Sequence, residues 1–251
     1  MFKMIETAKL DIQNDIVKYL ILLFIFIGQG MLSAVTILLL PMFLESNGIP
    51  PGILPKPTAE LALIEALENT TLIGFIVVSL ITMSIFAGEI ESGTVYYHLV
   101  HPIKRYEYVI GKIAARMAII GFIMVLSISV TWLYTGFLFG GDFPNLNLFN
   151  VIIPFLLLFF FITALTSLFS TRLSVLNSGL ASIFLGAVFF ALPGILWQFG
   201  ELSPFYLVNK YSEIVIGDLS LSDEVSGIII SLGWIISLTI GAVISFHKRD
   251  L

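Results

Sequence analysis

The chain predicts an all-α, polytopic membrane protein with six transmembrane helices, and three observations predict it. Six windows hold no Asp, Glu, Lys or Arg: between Lys18 and Glu45, Glu68 and Glu89, Arg116 and Asp142, Asp142 and Arg172, Arg172 and Glu201, and Glu224 and Lys248. Each is at least 20 residues long, and about 20 apolar residues cross a ~30 Å hydrocarbon core as a helix. The hydrophobic share is 58% and the mean hydropathy +1.03, beyond the ~45–50% apolar content of soluble domains. Ten of the 12 Lys and Arg fall on the N-terminal arm, the turns after spans two and four, and the tail. Only Lys56 and Lys210 fall in the other three loops. The positive-inside rule then places both termini in the cytoplasm of a cell-membrane protein.

Taken in order, residues 1–18 read as an interfacial amphipathic helix. Phe2, Ile5, Ile12, Ile16 and Tyr19 recur on one face, with Lys3, Glu6, Gln13 and Lys18 mainly elsewhere. The run 19–44 is too long for the ~7–15-residue core of a cleaved signal. It is the first span, ending near Pro41. Four prolines and two glycines make Ser46–Pro57 irregular. Pro57-Thr58 opens a helical stretch, Ala59 to Asn69, that leads into span two at about 69–88. Span three runs about 113–139 and turns at Gly140-Gly141; span four runs about 151–169. Span five, about 175–197, meets Pro193-Gly194, which kinks or ends it. Pro204–Ile216 has helical spacing but is too short and charged to span, so it reads as an outer or re-entrant helix. Ser222-Asp223-Glu224 then suits the N-terminus of span six, about 226–246. One membrane domain fills residues 1–251.

Several chemistries lose their basis. Without Cys there are no disulfides, thiol nucleophiles or thiolate metal sites. A net charge of −5 with no basic stripe argues against nucleic acid. No ionisable residue lies deep in a span by sequence, against proton-coupled antiport. No Ser and His sit together in a span, against an intramembrane protease, and no catalytic residue is assigned. His98 and His101 invite a metal reading, but ordinary contact with a partner or with lipid headgroups outweighs it.

The second inner loop carries the densest pattern. Glu89 and Glu91 end span two, Gly93-Thr94 turn the chain, and Val95 to Val100 form a short helix through Tyr96, Tyr97, His98 and Leu99. Pro102 ends that helix, and Lys104, Arg105 and Lys112 border span three. Such a surface parallel to the membrane suits docking of a cytoplasmic partner. Glu89, at the membrane edge, needs a hydrogen-bonding or cationic partner, and Arg105 is a candidate. Polar side chains also align within spans: Gln29, Ser33 and Thr36 on span one, Ser79 and Thr82 on span two, and Asn177, Ser178 and Ser182 on span five. They either line a substrate pathway or, more commonly, hydrogen-bond between helices. An uncharged path fits amphipathic or lipid-like cargo better than bare ions.

The ordered series Glu89, Gly93, Thr94, Pro102, Arg105, Gly111, Lys112 resembles the membrane subunits of type-2 ABC exporters. It is most similar to the permeases grouped with multicopper-enzyme maturation systems. Two features depart from that pattern: Tyr97-His98 within the leucine-rich stretch, and the unmatched outer segment 204–224. The resemblance implies that Val95–Val100 is a coupling helix seated in a separate ATPase, and that a second permease copy or paralogue completes the transporter. ATP and Mg would then be bound in the partner subunit, with no cofactor in this chain. Gly111-Lys112 is followed by Ile113 and preceded five positions back by Tyr106, so no phosphate-binding loop is present there. The alternatives are a non-transporting scaffold that recruits a cytoplasmic protein, and an ATP-independent channel.

Overall fold

The computed structural model describes residues 2–48, 56–96, 104–141, 143–144, 146–195 and 197–249. Long apolar sequences produce long helices, with Pro41 and Pro154 accommodated inside two of them: α1 (Phe2–Ser46), α2 (Ala59–Thr82), the short α3 (Ala87–Glu91), α4 (Arg105–Leu138), α5 (Leu148–Ser170) and α6 (Val175–Ile195). Then come 3-10 turns at Trp197–Leu202 and Val208–Lys210, α7 (Tyr211–Ile216), a 3-10 turn at Leu221–Glu224, and α8 (Val225–His247). Local chemistry sets several ends. Thr58 Oγ1 accepts the Leu61 N–H at 3.2 Å and starts α2, and Asn147 Oδ1 accepts the Phe149 N–H at 3.1 Å and starts α5. Gly140 and Gly141 stop the chain after α4 with φ of 79° and 92°, the left-handed region that favours glycine.

Helix α5 is the centre of the bundle. Of its most apolar window 67% is buried, against 28% for α1 and 22% for α8. Phe155, Phe159 and Phe161 of α5 are fully enclosed, and Phe159 meets Phe26 of α1 at 5.6 Å between centroids. Glycines let helices cross closely. A Cβ on Gly74 would stand 2.6 Å from the Phe159 ring, and one on Gly30 would stand 2.2 Å from Thr131 Oγ1 of α4. The outward faces of α1 and α8 carry exposed apolar side chains, among them Phe24, Leu32, Phe43, Ile229 and Ile236.

Several expectations change. No separate interfacial helix covers 1–18: α1 runs unbroken from Phe2, because no Gly or Pro interrupts the sequence before Gly28. It also passes through Pro41 to Ser46 rather than ending there. Among the described residues five segments are long and apolar enough to cross a membrane, namely Asp15–Ser46, Ala59–Glu91, Arg105–Leu138, Leu148–Ser170 and Val225–His247. The apolar stretch of α6, Val175–Ala191, is shorter. Span two is not one helix, since residues 83–86 form a turn between α2 and α3. Ser222 does not start α8; it lies within a 3-10 turn, and Glu224 occupies the N-cap without a side-chain cap bond.

Candidate functional site: a charged junction at one end of the bundle

The turn at 83–86 interrupts the hydrogen-bond ladder, and helices from elsewhere in the chain take over the exposed backbone groups. Arg116 Nη1 of α4 donates to Ile81 O at 3.0 Å, and Lys112 Nζ donates to Ile85 O at 2.9 Å. Ser170 Oγ, at the end of α5, donates to Met83 O at 2.9 Å. The same oxygen accepts the N–H groups of Phe86 and Ala87 at 3.0 and 2.8 Å. Ser178 of α6 shares its proton between Met83 O at 3.0 Å and Val175 O at 2.7 Å. No proline causes this break; inserted side chains hold the ladder open.

Cations suit this place because the C-terminal end of a helix carries partial negative charge on its carbonyls. Arg116 and Lys112 are 0% and 2% exposed, and a buried cation needs counter-charge and further hydrogen bonds to offset its desolvation. Asp15 of α1 supplies the counter-charge for Arg116 and also bonds Lys18 at 2.6 Å. Lys18 reaches across to Ser84 Oγ at 3.1 Å. Glu89 pairs with Lys112 at 2.7 Å and accepts the Tyr108 hydroxyl. The rings of Tyr108 and Phe86 lie 5.5 and 5.9 Å from Lys112 Nζ, within cation–π range. Phe246 of α8 packs against both rings. Each long helix of the bundle therefore contributes a side chain or a backbone group to this junction.

The junction carries both ends of the loop singled out in the sequence. Glu91 Oε1 accepts the Val175 N–H at 2.8 Å and thereby caps α6. Gly93 adopts φ 73°, and Thr94 Oγ1 bonds Ser92 Oγ at 2.9 Å. Val95 is buried and Tyr96 exposed. Tyr97, His98, Leu99, His101 and Pro102 lie outside the described residues, so the expected Val95–Val100 helix does too beyond Tyr96. On the returning side Gly111 is buried within α4. Arg105 is not the partner of Glu89. Its Nη1 donates to the carbonyls of His247 and Arg249 at 3.2 and 3.1 Å, because the end of α8 lies beside the start of α4. Arg172 and Thr171 both bond Ser245, and Arg249 closes the set by donating to Thr171 O.

Asp15, Arg116 and Ser170 were not among the candidate site residues, and Tyr108, one of the tyrosines of the docking loop, had no assigned bond to Glu89. Lys112 and Arg116 stand four apart, hence on one helix face, which was the available signal. Lys112 and Arg116, which the sequence places at the border of span three, are enclosed by protein rather than solvated.

The polar positions within the spans divide into two groups. Gln29, Ser33 and Thr36 line one groove between α1 and α2, with a cavity of about 530 Å³ that Glu65 and Asn69 also line. Gln29 Nε2 donates to Ser33 Oγ and Ala66 O, both at 3.1 Å, and its Oε1 accepts Thr70 Oγ1 at 2.8 Å. Asn69 Nδ2 donates to Ser33 Oγ and Glu65 Oε1, both at 3.1 Å. Ser79, Thr82, Ser178 and Ser182 are buried away from that groove. Ser79 and Ser182 bond carbonyls of their own helices. Asn177 is exposed.

At the opposite end of the bundle, Glu68, Thr71, Leu72, Phe190, Asn209 and Tyr211 surround a second cavity of about 310 Å³. Burial, aided by Glu68 and then Glu65, pushes the Tyr211 phenol up to about 12. Lys210 pairs with Glu224 and lies 4.6 Å from the Tyr206 ring centre. Burial lowers its pKa, but the bonds to Glu224 and Tyr206 outweigh this and leave it above its ordinary value.

A family model described as "ABC-2 family transporter protein" matches residues 3–251. No curated protein gives a match.

Proposed function

Because the chain belongs to the ABC-2 transporter family, we propose that it is the membrane-spanning permease subunit of an ATP-driven exporter whose ATPase is a separate cytoplasmic subunit. The observation that carries this reading is the Glu89–Lys112 pair at the base of the 92–104 loop. It locks the outgoing end of the loop, α3, to its returning end, α4. Glu91 ties the same end to α6, and Ser170 ties it to α5. A push on the loop therefore reaches four helices at once instead of bending a free turn. The Val95–Val100 segment is the coupling helix in this reading, and the ATPase supplies the bound ATP and Mg.

The remaining assignments belong to the same reading. Helix α6 is the fifth of six spans: its 21 residues extend about 31 Å at ~1.5 Å per residue. The basic junction end faces the cytoplasm, where both termini lie, and the protein resides in the cell membrane. A second copy or a paralogue completes the transporter, with lipid against the remaining apolar faces of α1 and α8. Within the family, the Glu89 to Lys112 series groups the chain with the multicopper-enzyme-maturation permeases.

The test is purification of the tagged chain from its own host in mild detergent, with and without nucleotide, followed by mass spectrometry. A stoichiometric ATPase is expected, lost when Val95–Val100 is replaced by a Gly/Ser segment of equal length. A monodisperse preparation that brings down no ATPase under either condition refutes the reading. A scaffold role would then lead if another cytoplasmic protein depends on the same segment, and a channel if the chain alone conducts.

A further inference from the structure

The groove between α1 and α2 has an unusual chemical make-up. Its floor is the hydrogen-bonded set Gln29, Ser33 and Asn69, its rim is hydrocarbon from Phe24, Leu32 and Ile73, and Glu65 lines it. Phe24 and Leu32 are 81% and 68% exposed, so the groove is open along its side. Ser33 lies 15 residues beyond Lys18 on the same helix, about 22 Å along it, which places the groove in the membrane half away from the charged junction. From Phe24 to Thr36 it runs about 18 Å, enough to lay one alkyl chain along it. Its volume of about 530 Å³ falls in the range of small-molecule sites.

The carboxylate decides the occupant. Glu65 takes one hydrogen bond, from Asn69, and among the described residues no ion pair reaches it. Lys210, the cation of that end in the described ion pairs, belongs to Glu224. A carboxylate beside hydrocarbon favours a cation. A second copy of this chain does not supply one from a span, since its charge-free windows hold no Lys or Arg. A neutral lipid tail leaves the carboxylate without a counter-charge.

We propose that this groove binds a single-chain amphiphile with a cationic ammonium headgroup, the headgroup against Glu65 and the chain along Phe24, Leu32 and Ile73. The inference deepens the permease reading by naming a substrate class, and it rests on that reading only for the meaning of the binding.

The chain has no cysteine, so Leu32→Cys gives one attachment point for an environment-sensitive bimane. The labelled protein is placed in phosphatidylcholine nanodiscs and titrated with dodecyltrimethylammonium, dodecyl maltoside and dodecyl sulfate. The expected result is a saturable shift with the ammonium alone. Glu65→Gln, which keeps an acceptor for Asn69, should weaken it about tenfold, the equivalent of about 1.4 kcal/mol. Glu60→Gln, at the exposed start of α2, should leave it unchanged. Equal responses to the three amphiphiles, or an unchanged response in Glu65→Gln, overturn the proposal. So does a shift that appears only on adding unlabelled protein, which marks a contact between copies. No ATPase takes part in this measurement, so its failure leaves the permease reading standing, and a missing ATPase leaves the binding result readable.

Discussion

Replacing Glu89 with Gln removes the counter-charge of Lys112 while preserving an acceptor for Tyr108. Breaking a buried ion pair by deleting one partner costs ~3–5 kcal/mol, because the other charge stays behind. Two features reduce that figure here. Glu89 keeps 22% of its side chain exposed, and Lys112 retains Ile85 O and two aromatic faces. A loss of about 2–3 kcal/mol remains, which for a chain of this size lowers the thermal midpoint by about 5–10 °C. The assay is retention of the monodisperse peak on fluorescence-detected size exclusion after heating in detergent. The double variant Glu89→Gln/Lys112→Met removes both charges and should recover most of the loss, since a buried pair replaced by apolar groups is often neutral. If Glu89→Gln melts with the wild type, or the double variant is no better than the single, the pair does not hold the loop base.

Asp15→Asn strips the counter-charge from Arg116, which is 0% exposed, and should cost about 3 kcal/mol. Lys18→Met, on the same Asp15 but with 44% of its side chain exposed, should cost under about 1 kcal/mol, and the same heating assay ranks the two. Gly30→Ala sets a Cβ 2.2 Å from Thr131 Oγ1 and should cost about 1–3 kcal/mol by overpacking. Adding Thr131→Ala should restore stability, because the nearest remaining atom is then the Thr131 Cβ at 3.2 Å. Tyr211 holds its proton in the folded state to about pH 12 but releases it near pH 10 when unfolded. Its contribution to stability is therefore fully present below pH 10 and is lost as pH rises from about 10 to 12. Absorbance at the phenolate band, wild type minus Tyr211→Phe, should show one late-titrating group, and a midpoint near 10 refutes the burial argument.

What could be read from the sequence was what depends on neighbours along the chain. Thr58 caps α2, Gly140-Gly141 end α4, and Gln29, Ser33 and Thr36 share a face because such features follow from spacing on one helix. The junction depends on residues far apart in sequence. Asp15 meets Arg116 across 101 positions, and Ser170 meets Phe86 across 84, separations on which helical periodicity is silent. Placement at the membrane edge gives Glu89 a need for a cationic partner but does not say which of the nearby cations faces it. Helix α4 instead turns Tyr108 and Lys112, one turn apart, toward Glu89 and points Arg105 at the end of α8. Counting charge-free windows also treats a cation at a window's edge as solvated. Arg116 shows that such a cation is able to face inward and plug the end of a helix.

The broken second helix has a consequence for how the protein is made. Residues 81–87 leave the ribosome well before the serines that complete them, Ser170 at the end of α5 and Ser178 in α6. Until those arrive, the Met83 carbonyl and the Phe86 and Ala87 N–H groups need water or insertion machinery as partners, since lipid offers none. Biogenesis therefore has a late step: the joint in the second long helix is sealed only after the fourth and fifth long helices have been delivered. A chain halted before Ser170 carries an open backbone joint whose polar groups lipid cannot satisfy.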